Sequence, residues 1–332
     1  MPGVAWSFAG IQGQEAVLAR LNQEIASNRF PHAYLFEGPA GSGKLTLARA
    51  LSAELLCLDR RDGSACGACR PCRLLAHANH SDYLELPREG DRLSIAQFVE
   101  RSGEPPGGGT PLLAFFHLRP VEGTRRIAVV PEAERMGPEA ANALLKTLEE
   151  PPPGAVLILT TLSRDRLPAT IVSRCRRLGL QPLSTEVIAA ELAARDLASG
   201  PDAWDLAQSA EGSLGLALNL AGPDTLELWR WLAGPGLAGS QPRDALALAN
   251  AILNYAAGGE DSGARRRRSL AALDLVALSL RQRLRAANGA GARVGQALTA
   301  LWEAGERITR NVKPEAVLLL AAYDVVAALR HP

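Results

Sequence analysis

The chain has 332 residues, a length that accommodates two or three domains with buried cores. Hydrophobic residues make up 47% and charged residues 21%, as in ordinary globular proteins, and a formal net charge of +1 argues against a strongly basic nucleic-acid-binding protein. No apolar run approaches the roughly 20 residues of a membrane helix. Residues 1–10 lack the basic start and apolar core of a signal peptide, so a cytoplasmic location is expected.

A glycine-rich turn near the N-terminus is the strongest motif. After a predicted helix within residues 11–29, residues 33–36 form an apolar run, residues 38–45 read GPAGSGKL, and residues 46–57 have helical spacing. Strand, glycine-rich turn and helix is the context of a phosphate-binding P-loop. Its backbone N–H groups and the lysine charge would hold phosphate oxygens, through Gly38, Gly41, Gly43 and Lys44. The alternative is a turn that serves packing alone.

Two positions that should hold magnesium carry residues without ligand atoms. The P-loop motif places Ser or Thr after the lysine, but this position is Leu45, and Thr46 lies about 100° further round the helix. A second apolar run, residues 127–130, is typical of a buried parallel strand and is followed by Pro131 and Glu132. An ATPase of this fold carries Asp-Glu there. The sequence therefore predicts a phosphate cradle without its magnesium ligands.

Four cysteines lie close together after the P-loop helix. Cys66, Cys69 and Cys72 are spaced three apart, and Cys57 ends the preceding helix. Four thiolates can close a tetrahedral zinc site with no open position, which predicts a structural zinc. The alternatives are free or redox-active cysteines, with His77 and His80 as possible substitute ligands.

The remaining residues up to 180 alternate between predicted strands and helices. Such alternation predicts a parallel sheet with helices on both faces. The predicted strands cover residues 82–87, 127–130, 155–161 and 170–173, and the predicted helices cover residues 95–101 and 138–150, with a Pro/Gly-rich loop at 104–111.

The second half of the chain has helical patterns only. A small helical region at 182–222 precedes five helices, at 226–232, 244–255, 269–287, 294–309 and 314–329. Residues 258–268 contain four consecutive arginines and are predicted to form a solvated loop between helices. Thr160 and Thr161, at the end of a predicted strand, could sense a γ-phosphate, although threonine is common in strands.

Together these motifs resemble one family, the AAA+ clamp-loader subunits of bacterial DNA polymerase III. The matching parts are the P-loop, the cysteine cluster, residues 140–152 (AANALLKTLEEPP) and Ser173-Arg174-Cys175, which cover most of residues 8–180. The resemblance implies an α/β fold: an AAA+ P-loop domain at 1–180 with a zinc module at 57–72. A helical lid at 181–222 and an all-α collar for oligomerisation at 223–332 would follow.

Departures from the family pattern distinguish two types of subunit. Leu45 and Pro131 replace magnesium ligands, and Gly215 stands where a Gly-Ser-x-Arg lid motif, here residues 212–215, has its arginine. These losses favour the non-hydrolysing delta-prime type over the ATP-hydrolysing gamma/tau type. This chain is accordingly expected not to bind ATP and magnesium productively. Arg174, flanked by Ser173 and Cys175, is implied to be an arginine finger that reaches a neighbouring subunit's ATP; the alternative is an ordinary interface salt bridge.

The implied partners are the other subunits of a hetero-pentamer. They would be gamma/tau-type ATPase subunits and a delta-type subunit, with the sliding clamp and primed DNA reached through the complex and no membrane involved. Two rival functions remain open. One is a genuine ATPase with an unusual P-loop, and the other is a zinc protein that binds nucleic acid through Arg70 and Arg73.

Overall fold

The computed structural model describes residues 6–87, 92–100, 110–234, 242–259, 261–286, 291–310 and 312–330. Two compact units divide the chain. The first contains Met1–Ile188 and Glu211–Gly215, and the second contains Ala189–Ala210 and Leu216–Pro332. Within the described ranges, no helix is both long and apolar enough to cross a bilayer. The division into three domains at residues 180 and 222 stays a prediction.

The first unit is built on the predicted parallel sheet. Its five strands are β1 (Ala33–Glu37), β2 (Tyr83–Glu85), β3 (Arg126–Val130), β4 (Ala155–Thr161) and β5 (Arg176–Gly179). They are arranged in the order β2-β3-β4-β1-β5, and every pair is parallel. All residues of β3 and β4 are buried. This burial explains their continuous apolar sequences, because a central parallel strand is covered on both faces.

Helices cover both faces of this sheet. They are α1 (Glu15–Ala26), α2 (Lys44–Leu56), α3 (Arg70–Ala76), α4 (Leu112–His117), α5 (Pro138–Glu149) and α6 (Ala169–Val172). Residues of β1 contribute alternately to the hydrophobic cores on the two faces of the sheet. Tyr34 and Phe36 belong to a core that includes residues of α2, whereas Ala33 and Leu35 belong to a second core that includes residues of α5. The expected α/β architecture, a parallel sheet with helices on both faces, is confirmed.

Two predicted elements of the first unit are wrong in type. Residues 170–173 were expected to be a strand, but helix α6 occupies this segment, and the N–H of Ser173 donates to the carbonyl of Ala169 (2.9 Å). Pro168 precedes the helix with its fixed φ and starts the turn in spite of the β-branched residues that follow. The predicted helix at 95–101 is a single 3₁₀ turn, Ile95–Gln97; residue 101, like most of the predicted loop at 104–111, lies outside the described residues.

The helical character of the second half is confirmed for the described residues. The helices are α7 (Thr185–Ala194), α8 (Gly200–Ser209), α9 (Leu214–Leu220), α10 (Pro223–Ala233), α11 (Pro242–Ala257), α12 (Ser262–Ala286), α13 (Gly291–Thr309) and α14 (Pro314–Arg330). In the second unit, α11, α12, α13 and α14 pack against one another.

The predicted loop at 258–268 is wrong, because α12 already begins at Ser262. Two of its arginines bind neighbouring chain segments. Arg266 Nε donates to the carbonyl of Ile308 (2.9 Å), and Arg268 pairs with Asp224 (2.9 Å). The arginine run is thus part of a helix that holds other helices through its side chains.

Candidate functional site

The P-loop lies at the carboxyl end of β1, and α2 begins at Lys44. Gly41 and Gly43 have left-handed φ angles of 71° and 87°, which glycine adopts without a steric penalty. The N–H of Gly38 donates to the carbonyl of Thr161 at the end of β4 (3.2 Å), which fixes the loop to the sheet. Lys44 Nζ donates to the carbonyls of Gly38 (2.7 Å) and Pro39 (2.6 Å). The predicted cradle residues are therefore together in one loop.

The residues at the magnesium position do not fit a metal. Leu45 packs against the hydrophobic core beside the sheet, while Thr46 is exposed. A leucine side chain has no atom that can coordinate Mg²⁺, which takes oxygen ligands. The loop can therefore hold an anion through its N–H groups and lysine, but this position offers nothing to a metal ion.

The end of β3 is equally unsuited to magnesium. Pro131 is buried directly after the strand, and Glu132 follows with a left-handed φ of 50°. The N–H of Glu132 donates to Thr160 Oγ1 (3.0 Å), and its carboxylate pairs with Arg135 (2.8 Å). Thr161 Oγ1 donates to the carbonyl of Ser163 (3.0 Å). Both threonine hydroxyls thus have partners within the chain.

The segment that resembles a lid motif lies directly on the P-loop within the first unit. The N–H of Gly215 approaches the carbonyl of Gly41 (3.4 Å), and a Cβ on Gly41 would come 1.8 Å from Ser213 Oγ. Gly41 is therefore required for this close approach as well as for its φ angle. Sequence reasoning identified Gly215 but missed the contact of Ser213, because residues so far apart in the chain give no local signal.

The four cysteines converge as predicted. Their Sγ atoms all lie within 4.8 Å of one another, and Cys57 Sγ is 3.6 Å from Cys66 Sγ and 3.9 Å from Cys69 Sγ. A tetrahedron with Zn–S bonds of about 2.3 Å has sulfur–sulfur edges of about 3.8 Å. The backbone N–H groups of Cys66 and Cys69 donate to the sulfurs of Cys57 and Cys66, each at 3.3 Å. The donor set and its spacing fit a structural metal ion.

The surroundings of these thiols differ from one cysteine to the next. The backbone N–H of Cys69 lowers the pKa of Cys66 to about 7. Burial raises the pKa of Cys72 well above its usual value, because a thiolate loses hydration there. His80 is buried, and its Nδ1 accepts the N–H of Asp82 (3.0 Å). Neither His80 nor His77 belongs to the cluster of possible ligands.

Arg174 lies just after α6, before β5 begins. Its guanidinium donates to Glu149 Oε1 (2.7 Å) and to the carbonyl of Thr170 (2.9 Å), and its side chain is 35% exposed. Ser173 Oγ also donates to the Thr170 carbonyl (3.1 Å), and burial raises the pKa of Cys175 to about 12. The three motif residues thus lie together at the end of α6.

The structure does not bring Arg174 to the P-loop of its own chain. Strands β1 and β5 are parallel, so the P-loop follows the carboxyl end of β1 whereas Arg174 precedes the amino end of β5. The P-loop and Arg174 therefore lie at opposite ends of these neighbouring strands. Glu149, the ion-pair partner of Arg174, was missed by sequence reasoning, although it belongs to the TLEEPP segment of the matching helix.

Comparisons with known proteins agree with this arrangement. A family model described as DNA polymerase III, delta subunit, matches residues 13–184. DNA polymerase III subunit tau of Escherichia coli is 35% identical over 219 residues, which are 64% of this chain and 32% of tau. DNA polymerase III subunit delta′ of Pseudomonas aeruginosa is 38% identical over 172 residues, which are 51% of this chain and 49% of that subunit. The chain thus spans no more than about half of these relatives.

Among solved structures, a DNA polymerase III gamma subunit-related protein from Thermotoga maritima has a TM-score of 0.51 at 18% identity, covering 93% of this chain and 99% of that one. At this identity the likeness shows the fold. The family match extends over more than half of the chain and includes the P-loop, the cysteine cluster and the Ser173-Arg174-Cys175 motif. The chain therefore belongs to the DNA polymerase III delta-subunit family.

Proposed function

We propose that the chain is a non-hydrolysing subunit of the DNA polymerase III clamp loader, of the delta-prime type. In this role it helps to load the sliding clamp on primed DNA during replication. The observation that carries the proposal is the P-loop itself. Its glycines and lysine are in place, while Leu45, at the position of the magnesium ligand, packs against the hydrophobic core. The delta′ relative of Pseudomonas aeruginosa supports the same assignment.

Absence of hydrolysis follows from three residues of this proposed site. Leu45 and Pro131 supply no oxygen to Mg²⁺, and Gly215 supplies no positive charge to a γ-phosphate. Phosphoryl transfer depends on metal and cationic groups that neutralise charge developing on the phosphate oxygens. The P-loop is accordingly proposed to be a vestigial nucleotide-binding site, formed by Gly38, Gly41, Gly43 and Lys44.

The cysteine cluster is proposed to hold one structural Zn²⁺. Cys57, Cys66, Cys69 and Cys72 supply four sulfurs and leave no coordination position for a substrate. The ion would fix the segment between α2 and α3, where the described residues have little regular structure.

Arg174 is proposed to act on a neighbouring subunit rather than on its own P-loop. An exposed ion pair such as Arg174–Glu149 contributes below about 1 kcal/mol, so the guanidinium can exchange Glu149 for a phosphate at low cost. A guanidinium also binds phosphoryl oxygens in a bidentate manner. Ser173 and Cys175 would then position this arginine at the end of α6.

The proposed partners are gamma/tau-type ATPase subunits and a delta-type subunit in a hetero-pentamer, with clamp and primed DNA bound by the complex. The direct test mixes the purified chain with these two subunit types, isolates the complex by size-exclusion chromatography and measures clamp loading. We expect a stable complex whose loading requires this chain. A complete complex that assembles and loads clamps equally well without the chain would contradict the proposal.

An active gamma/tau-type ATPase is the second candidate, favoured by the match to tau over 64% of this chain. Single-turnover hydrolysis by the isolated chain separates the two. We expect phosphate release equal to that of a Lys44→Ala variant, and we expect Leu45→Thr alone to restore nothing because Pro131 remains. Magnesium-dependent release that Lys44→Ala abolishes would favour the ATPase.

A further inference from the structure

A groove with a volume of about 800 Å³ runs along β5 on the first unit. Its lining is unusually rich in guanidinium groups, with Glu37 as the one carboxylate among its lining residues. Glu37 also accepts the backbone N–H of Arg164 (3.3 Å). The four arginines that line it are Arg20, Arg164, Arg176 and Arg177.

The positive charge of this groove is only partly compensated inside the chain. Arg20 and Arg176 share the carboxylate of Glu24, at 3.5 Å and 3.0 Å, and Arg164 lies 3.9 Å from the carboxylate of Asp165. Arg177 is exposed and makes no ion pair with any carboxylate in the part of the chain that the structure describes. The groove therefore attracts an anionic group from outside.

The backbone beside these arginines is an open sheet edge. Strand β5 pairs with β1 and is the last strand of the sheet. The N–H of Leu180 donates to the carbonyl of Glu37 (2.7 Å). Because backbone groups alternate in direction along a strand, Arg177 and Gly179 direct their N–H and C=O groups away from β1, and both residues line the groove.

Gln181, two residues after Gly179, shows how outward-facing backbone groups on this edge can be hydrogen-bonded. Gln181 has both backbone groups bound by the side-chain amide of Gln14, which accepts its N–H (3.1 Å) and donates to its carbonyl (2.8 Å). This buried glutamine imitates a neighbouring strand at one position. No side chain in the described ranges does the same for Arg177 and Gly179. Their groups are left for a partner.

We propose that this groove binds an extended, acidic segment of a partner polypeptide, which adds a strand beside β5. Its main chain pairs with Arg177 and Gly179, and its carboxylates lie near the arginines of the groove. A nucleic-acid backbone fits less well, because phosphates accept hydrogen bonds and leave the two carbonyls without donors. The proposal goes beyond the clamp-loader assignment, and its test needs no other subunit. Ser173 and Cys175, which flank the proposed finger Arg174, also line this groove, so a neighbouring subunit bound there would compete with the peptide.

The test uses the full chain and a short fluorescent peptide of alternating valine and glutamate. A valine–lysine peptide and a single-stranded oligo-dT serve as comparison probes. Fluorescence anisotropy at low ionic strength should show binding of the glutamate peptide alone. In the same sample, hydrogen exchange at the amides of Arg177 and Gly179 should slow when that peptide is present.

Two variants and one control locate the site. Gly179→Pro removes an N–H that faces the groove and leaves the groups that pair with β1 in place, and a Cβ added at this position meets no atom within 4 Å. We expect it, and Arg177→Glu, to weaken peptide binding at least about tenfold. Arg29→Glu changes an exposed arginine outside the groove lining and should bind like the original chain. Equal binding of the lysine peptide, displacement by oligo-dT, or unchanged binding in both variants would overturn the proposal.

Discussion

A variant of Arg174 can distinguish two roles of this chain. In one role the chain supplies a catalytic group to a neighbour's ATP site, and in the other it only supports the assembly. If the guanidinium of Arg174 enters a neighbour's ATP site, Arg174→Ala should leave folding and assembly unchanged, because its exposed pair with Glu149 contributes little. ATP turnover at that one interface should fall roughly 10³-fold, as for other arginine fingers, and Arg174→Lys should restore little. Clamp-stimulated ATPase and clamp loading of the assembled complex are the measurements.

Exposed Arg166 provides a matched control for this experiment. Arg166→Ala removes the same charge eight residues earlier and should load clamps like the original chain. If the complex with Arg174→Ala assembles and loads clamps at the original rate, the arginine-finger role is wrong and only the supporting role in the assembly remains.

We expect His80 to make the stability of the first unit depend on pH. Burial lowers its pKa below the usual value, and its Nδ1 accepts the N–H of Asp82. Below about pH 6.5 the unfolded chain therefore binds a proton that the folded chain resists, so stability falls as the pH falls. One such proton contributes at most about 1.4 kcal/mol per pH unit.

His80→Asn keeps an acceptor near the Asp82 N–H but does not titrate. Urea unfolding at pH 7.5 and pH 5.5 should therefore show a smaller loss of stability in this variant than in the original chain. An equal loss in both proteins would show that His80 does not contribute.

At the scale of elements, the cysteine segment should depend on its metal. We expect one zinc per chain, and Cys69→Ser should lose it and unfold residues 57–80, since structural zinc contributes on the order of 10 kcal/mol in small peptides. The sheet should persist, because the core on its α5 face contains no residue of this segment. Metal analysis and hydrogen exchange test this, and Cys175→Ser, outside the cluster, is the control. Purified protein with well under one zinc per chain would contradict the prediction.

Elements with strong periodicity or motif-bearing turns could be predicted from the sequence. Structure that depends on contacts between distant residues could not. The parallel strands and the P-loop were identified because apolar runs and glycine turns are local signals. The strand prediction for residues 170–173 is wrong because Thr170, Ile171 and Val172 favour a strand, whereas Pro168 has a φ of −56° and starts a helix. The arginine run predicts a solvated loop by its charge alone, because the carbonyl of Ile308 that binds Arg266 lies far away in the sequence.

Candidate site residues show the same limit. The cysteine cluster could be predicted because its spacing is itself the geometric signal. The ion pair of Arg174 with Glu149 and the contact of Ser213 with Gly41 could not, because both join distant parts of the chain.

Helix α14 is the surface through which we expect the proposed assembly to form. This helix buries Leu318 and Ala322 on one side, while Leu320 and Tyr323 are 53% and 44% exposed on the other. A helix that is apolar on both sides is usually covered. Leu320→Glu should therefore leave the unfolding temperature of the isolated chain unchanged and weaken co-elution with gamma/tau-type subunits.

Burial of one leucine stabilises a contact by roughly 1.5–3 kcal/mol, so the loss of affinity should be tenfold or more. Glu315→Gln, an exposed change on the same helix, is the control. Unchanged co-elution of Leu320→Glu would exclude this face of α14 from the interface.

The strand order has a consequence for synthesis on the ribosome. Strand β1 ends at residue 37, yet its two neighbours in the sheet are β4, which begins at residue 155, and β5, which begins at residue 176. At roughly 10 residues per second, the nascent chain carries this apolar strand unpaired for on the order of ten seconds. During that interval we expect Tyr34, Leu35 and Phe36, which are buried in the folded chain, to bind chaperones. Slower translation before residue 155 should increase chaperone association, and ribosome-bound chains shortened before β4 should aggregate when released.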